Sequence, residues 1–137
     1  MIVVGFTGTQ KGMTVVQYKR VNTRLRELAS SGDDVAVHGS CVGADEQFGR
    51  LAGQHGYFIR IRPGHDGSGN MPKKANCLYD EIFAAEPYLK RNHKIVDDCD
   101  VLLATPYTTE EERRSGTWAT VRYAQQIGKP VEIIYPF

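Results

Sequence analysis

Short apolar, β-rich runs alternate along this chain with segments whose apolar residues recur at helical spacing, and each of the first four runs is followed by a turn that contains glycine. Strands separated by helices must be joined by crossovers, which give parallel pairing with helices on the sheet faces. The pattern predicts an α/β fold, a Rossmann-like three-layer α/β/α sandwich with a mostly parallel sheet of about five strands. The expected strands are residues 2–6, 34–38, 57–61, 101–105 and 130–135. The first and fourth are continuously apolar, as central strands covered on both faces are. Arg60 and Glu132 interrupt the third and fifth and place them toward an edge.

Between the strands, Tyr18, Val21, Leu25 and Leu28 recur at steps of three and four and predict a helix with one apolar stripe, ending near Ser31-Gly32. Ala44, Phe48, Leu51, Ala52 and His55 form a second stripe, closed by Gly56. Pro87 suits a helix start and predicts a third helix from Tyr88 to about Asp98, with Leu89, Ile95, Val96 and Cys99 inward. A fourth runs from Thr117 to Gln126, stopped by Gly128 and Pro130. Residues 63–72 carry turn residues without apolar period and read as a long loop, a kind of segment that tends to be a lid or a disordered connection.

The 137 residues show no internal repeat and fit one domain, 1–137. The opening Met1 to Thr7 has no basic leader and falls far short of the roughly 20 apolar residues of a membrane span, so it reads as a buried strand and no membrane partner is expected. Cys41, Cys77 and Cys99 are odd in number and far apart, a usage that fits a reducing cytoplasm. His55, His65 and His93 show no metal spacing, and neither a metal nor a cofactor is expected. His38, beside Gly39, could reach a ligand, whereas Met13, Met71 and Phe83 read as packing.

The glycine turns carry the functional signal. Thr7-Gly8-Thr9-Gln10 follows the first strand, Gly39-Ser40-Cys41-Val42-Gly43-Ala44-Asp45 the second and Pro63-Gly64 the third, and Ser115-Gly116-Thr117 precedes the last helix. In a parallel sheet these turns share one edge, where helix N-termini and free amides favour an anion and glycine lets the backbone approach a phosphate. Turns and caps favour Gly, Ser and Thr for purely local reasons, so it is the joint placement that points to a ligand. Neither a G-x-G-x-x-G fingerprint nor a P-loop is present, against ordinary dehydrogenase and ATPase readings.

Taken together, Gly5-Phe6-Thr7-Gly8-Thr9, His38-Gly39-Ser40 leading to Gly43-Ala44-Asp45, Arg91-Asn92 with Asp100, Ser115-Gly116-Thr117 and Gly128-Lys129-Pro130 resemble the SLOG superfamily, named from the Smf/DprA and LOG proteins, and most closely its small YspA-like branch. The resemblance spans nearly the whole chain. It implies a Rossmannoid sheet that binds nucleotides or nucleotide-derived signals, relatives that cleave the N-glycosidic bond of nucleoside monophosphates, and a homodimer or higher homo-oligomer.

The chain departs from the enzymatic pattern. LOG-type phosphoribohydrolases resemble one another in P-G-G-x-G-T-x-x-E, and Thr120 stands here in the glutamate's place. Ribosyl hydrolysis passes through an oxocarbenium-like state that a carboxylate stabilises, leaving Asp45 and Glu46 as the candidate catalytic groups. Their alternative role is to complement the helix dipole. Arg91, with Asn92, either pairs with a phosphate or belongs to a solvated basic patch with Lys90 and Lys94. Arg113 and Arg114 either reach an anion or pair with Glu110, Glu111 and Glu112.

Two helix N-termini and one arginine supply about 7 kcal/mol before ordering costs, short of the roughly 8.2 kcal/mol of micromolar binding. An aromatic platform for a base would close the gap. Tyr107 and Trp118 are the best placed, with core packing the alternative for Trp118. The expected function is binding of a nucleotide or nucleotide-derived phosphate ligand, as a sensor, carrier or sequestering module. The alternatives are a nucleotide N-glycosidase and a DprA-like binder of single-stranded DNA. Balanced charge, 17 basic against 16 acidic side chains, disfavours nucleic acid, whose phosphate backbone calls for clustered Lys and Arg.

Overall fold

The computed structural model describes residues 1–137. Its elements in chain order are β1 (Val3–Gly8), α1 (Val15–Leu28), β2 (Val35–His38), α2 (Ala44–Gln54), β3 (Phe58–Ile61), β4 (Gly64–His65), β5 (Glu81–Ile82), β6 (Glu86–Pro87), α3 (Tyr88–Asp98), β7 (Val101–Thr105), α4 (Gly116–Gln126) and β8 (Val131–Ile133). Six strands form one parallel sheet in the order β5-β3-β2-β1-β7-β8, and β4 pairs with β6 apart from it. β1 and β7 are interior and β8 is an edge, as the apolar runs predict. Two-residue β5 covers β3 and makes it second from the edge. Elements this short carry no periodicity, which is why β4, β5 and β6 escape the sequence pattern. The predicted loop at 63–72 accordingly opens with β4.

Side chains on the sheet alternate between two cores. Val4 and Phe6 of β1 join Val21 and Leu25 of α1 and Phe48 and Leu51 of α2 on one face, with the rings of Phe6 and Phe48 stacked at 4.4 Å. Val3, Val37 and Leu102 meet Ile95 and Val96 of α3 and Ala124 of α4 on the other. With helices on both faces, the chain order reverses direction beside β1, the switch point at which open α/β sheets leave a crevice beyond their carboxyl ends.

Two helical stripes differ from expectation. In α1 the buried residues are Gln17, Val21 and Leu25, and Tyr18 lies at the surface. Gln17 is tolerated inside because its amide nitrogen donates to the carbonyls of Pro106 (2.8 Å) and Ile134 (2.9 Å) while its oxygen completes a capping box with Thr14. The helix stops at Leu28, short of Ser31-Gly32, because Asp34 takes the Ser30 amide at 2.7 Å and the Ile2 amide at 2.9 Å and turns the chain toward β2. In α3 the buried residues are Arg91, Ile95 and Val96, and Leu89 is exposed. Residues two apart on a helix do not share a face, so burial of Arg91 excludes Leu89. Met71, expected to pack, is at the surface.

Candidate functional site

A cleft of about 600 Å³ opens at the carboxyl ends of the central strands. One wall is the end of β1 and the loop that follows it, from Thr7 to Lys11, and the opposite wall is the β7–α4 loop with Tyr107, Glu112, Arg114 and the α4 start at Ser115, Gly116 and Thr117. Gly39 and Cys41 of the β2–α2 turn, Asp45 of α2, Tyr88, Arg91, Asn92 and Ile95 of α3, Phe6 of β1, and Lys73 complete the lining. The first wall is held in place by the Thr9 amide donating to Thr105 and the Ala44 amide donating to Thr9. Ser115 caps α4 by accepting the Trp118 amide at 3.2 Å. The amides of Gly116 and Thr117 precede the first intrahelical hydrogen bond and have no partner in the helix.

Arg91 is the cleft's one deeply buried cation. It is 5% exposed, and its partners are all uncharged: the carbonyls of Gly39 (2.9 Å) and Arg62 (3.1 Å), the Asn92 side-chain oxygen (2.8 Å) and the Cys41 thiol (3.5 Å). It is thus not part of a solvated patch. Lys90 and Lys94 are, each pairing with Glu86. Asp45, also 5% exposed, accepts the Cys41 amide at 3.1 Å. Burial raises its carboxyl to about 6 against the opposing pull of the Arg91 charge. The two groups press on the same α-carbon, since a Cβ built on Gly39 would lie 2.7 Å from Arg91 Cζ and 3.1 Å from Asp45 Oδ2. The Tyr88 hydroxyl is buried without a hydrogen-bond partner.

Tyr107 is exposed at the mouth with Lys11 Nζ 4.0 Å from its ring centre. Lys11, Lys73, Arg91 and Arg114 face two carboxyls, Asp45 and Glu112, so a chain of formal charge +1 concentrates positive charge here.

Of the sequence candidates, Thr7, Gly8, Thr9, Gln10, Gly39, Asp45, Arg91, Asn92, Tyr107, Ser115, Gly116 and Thr117 line this cleft. Five lie elsewhere. Gly43, at φ 91°, packs against the Gln10 backbone and donates its amide to Glu46 at 3.0 Å. Glu46 thereby serves as a helix cap and borders a second pocket of about 580 Å³ on the far side of α2. Ser40 is fully buried, its hydroxyl donating to Ala75. Trp118 packs with Ala104 and Val121, its indole donating to Thr108. His38 is sealed against Phe48, with Nδ1 accepting the Ser40 amide at 2.9 Å, and burial lowers it to about 3. Thr120, in the place of the LOG glutamate, turns back to the Gly116 carbonyl at 2.8 Å. Glu111 pairs with Arg122 rather than with Arg113 or Arg114.

Lys11, Cys41, Lys73 and Tyr88 are lining residues that the sequence reading missed. Lys73 belongs to a strap whose backbone pairs with the β2–α2 turn, Val42 donating to Lys73 (2.8 Å) and Ala75 to Ser40 (2.7 Å). Its one sequence signal is the pair Lys73-Lys74 directly after the turn-rich segment. No three His, Cys, Asp or Glu side chains are grouped to hold a metal ion, and no helix is long and apolar enough to cross a membrane.

No protein-family model and no curated protein matches the sequence. Solved structures match in shape. A molybdenum cofactor binding protein from the phototrophic bacterium Rippkaea orientalis is similar over 98% of this chain and 76% of its own, at 21% identity and TM-score 0.72. The structural-genomics target TM1055 is similar over 96% of this chain and 72% of its own, at 15% identity and TM-score 0.65. At such identities the likeness is one of fold, and it places the chain among Rossmann-like α/β proteins.

Proposed function

We propose that the chain acts as one domain that binds a nucleotide or nucleotide-derived phosphate ligand in the cleft at the carboxyl edge of its sheet, as a sensor, carrier or sequestering module. The observation that carries this reading is Arg91, a buried guanidinium with no charged hydrogen-bond partner, facing the same space as the free amides of Gly116 and Thr117. A buried charge is most stable when directly paired, and an anionic group held between Arg91 and the α4 N-terminus supplies the bonded partner that Asp45, near Arg91 but not hydrogen-bonded to it, does not. The exposed Tyr107 ring offers a surface for a base. The Rippkaea orientalis protein of the same fold is described as binding a cofactor, which agrees with a small-molecule ligand. Membership of the SLOG superfamily, a cytoplasmic setting and homodimerisation belong to the same proposal.

A second reading, nucleotide N-glycosidase, is favoured by Asp45, whose carboxyl near 6 is suited to proton transfer at neutral pH. Calorimetry against nucleoside monophosphates, NAD fragments and cyclic ADP-ribose derivatives tests the first reading, and silence across the panel contradicts it. Release of free base from a nucleoside monophosphate, abolished by Asp45→Asn, is the result the second requires.

A further inference from the structure

We infer that the cleft takes up a phosphomonoester dianion together with one proton from solvent, and that Asp45 holds that proton in the complex. The inference rests on the cleft reading above and adds a mechanism of control to it.

The geometry is the contact of two opposite charges with one glycine. Asp45 Oδ2 and Arg91 Cζ lie 3.1 Å and 2.7 Å from the position a Gly39 Cβ would occupy, so they are within about 6 Å of each other. They are nevertheless not bonded: the guanidinium donates to Gly39, Arg62, Asn92 and Cys41, which leaves one Nη2 hydrogen for an anion, and the carboxyl accepts the Cys41 amide. The charge state of Asp45 is therefore a balance between burial, which favours the neutral acid, and the field of Arg91 together with the hydrogen bond from the Cys41 amide, which favour the anion.

The other groups around it leave that balance to Arg91. Glu46, on the same helix, is occupied with the Gly43 amide. The thiols of Cys41 and Cys77 are raised by burial and stay neutral. Lys73 from the strap, Lys11 from the β1–α1 loop, and Glu112 and Arg114 across the cleft are all more exposed than Asp45 and more strongly screened by water.

A dianion arriving at Arg91 satisfies that cation and repels the neighbouring carboxylate. Both effects tip Asp45 toward its neutral form, which then donates a hydrogen bond where the ionised form could only repel. In the free protein the carboxyl sits at about 6, so at neutral pH it is mostly ionised and has a proton to gain. Linkage then makes affinity fall with rising pH, by up to about tenfold per pH unit between the free and bound values of the carboxyl.

Titration calorimetry of the intact chain with AMP, in buffers of different ionisation enthalpy at about pH 7.5, tests this with the phosphate already a dianion, its second ionisation lying at about 6. The expected result is net proton uptake by the unmodified protein and none by Asp45→Asn, which binds AMP about tenfold tighter than the unmodified protein at about pH 8. AMP binding without proton uptake, or weaker binding by Asp45→Asn, overturns this inference alone. No AMP binding by either protein overturns the nucleotide reading, and this inference with it.

Discussion

Arg91 Nη1 donates to the carbonyl of Gly39 at 2.9 Å, and the guanidinium occupies the space a side chain at residue 39 would need. One contact thus fixes both the glycine after β2 and the orientation of the cation in the cleft. Gly39→Ala must displace Arg91 or Asp45, and overpacking of this kind costs about 1–3 kcal/mol. Denaturant unfolding should show a loss in that range, with weakened ligand binding.

Gly116 has the opposite surroundings: nothing lies within 4 Å of a Cβ built on it, and its φ is not positive. Gly116→Asp should fold and place a carboxylate at the start of α4, where the helix dipole favours it by about 0.3–1 kcal/mol. The same charge opposes an anion in the cleft at a cost of several kcal/mol. Unchanged or raised thermal stability combined with an affinity loss of more than about 100-fold is the expected pair of results.

His38 and Asp45 shift in opposite directions, and their effects on stability oppose each other. Folded His38 titrates at about 3 and unfolded at 6.5, so between those values the unfolded chain holds the extra proton and stability falls as pH falls. Folded Asp45 titrates at about 6 and unfolded at 3.8, so there the native chain holds the extra proton and stability rises as pH falls. The two largely cancel between about pH 4 and 6. Asp45→Asn should expose the His38 slope, about 1.4 kcal/mol per pH unit, in urea unfolding across that window.

Tyr107 and Trp118 should separate cleanly. Tyr107 is exposed at the cleft mouth, so Tyr107→Ala should weaken AMP by about 1–3 kcal/mol, the value of base stacking, while leaving ribose 5-phosphate nearly unaffected. Trp118 is in the core, so Trp118→Ala should cost about 3–5 kcal/mol of stability in thermal or denaturant unfolding.

What the sequence made legible follows from range. The parallel sheet, its four helices and the placing of Gly8 and Gly116 at one edge follow from patterns local to each segment, summed by the rules of crossover connection, whereas Gly43, expected to join those two glycines, leaves that place to Gly39. Whether a residue of the β2–α2 turn faces the cleft depends on contacts far along the chain. Gly43 is claimed by Gln10 and Glu46, Ser40 by Ala75, and His38 by Phe48. Lys73 reaches the site because its strap pairs with Val42, a register invisible in composition. Arg91 reads in sequence either as a phosphate ligand or as part of a basic patch with Lys90 and Lys94, and the burial that takes it out of the patch is set by the carbonyls of Gly39 and Arg62, 52 and 29 residues away.

In the proposed complex Gly39, Arg91 and Gly116 surround one anion. Amide chemical-shift mapping by NMR during titration with AMP tests it most directly. Gly8, Gly39, Arg91, Gly116 and Thr117 should shift together and saturate at one ligand concentration, while Gly49 and Gly53 beside the second pocket stay still. Shifts confined to Gly49 and Gly53, or an unchanged spectrum, would contradict it.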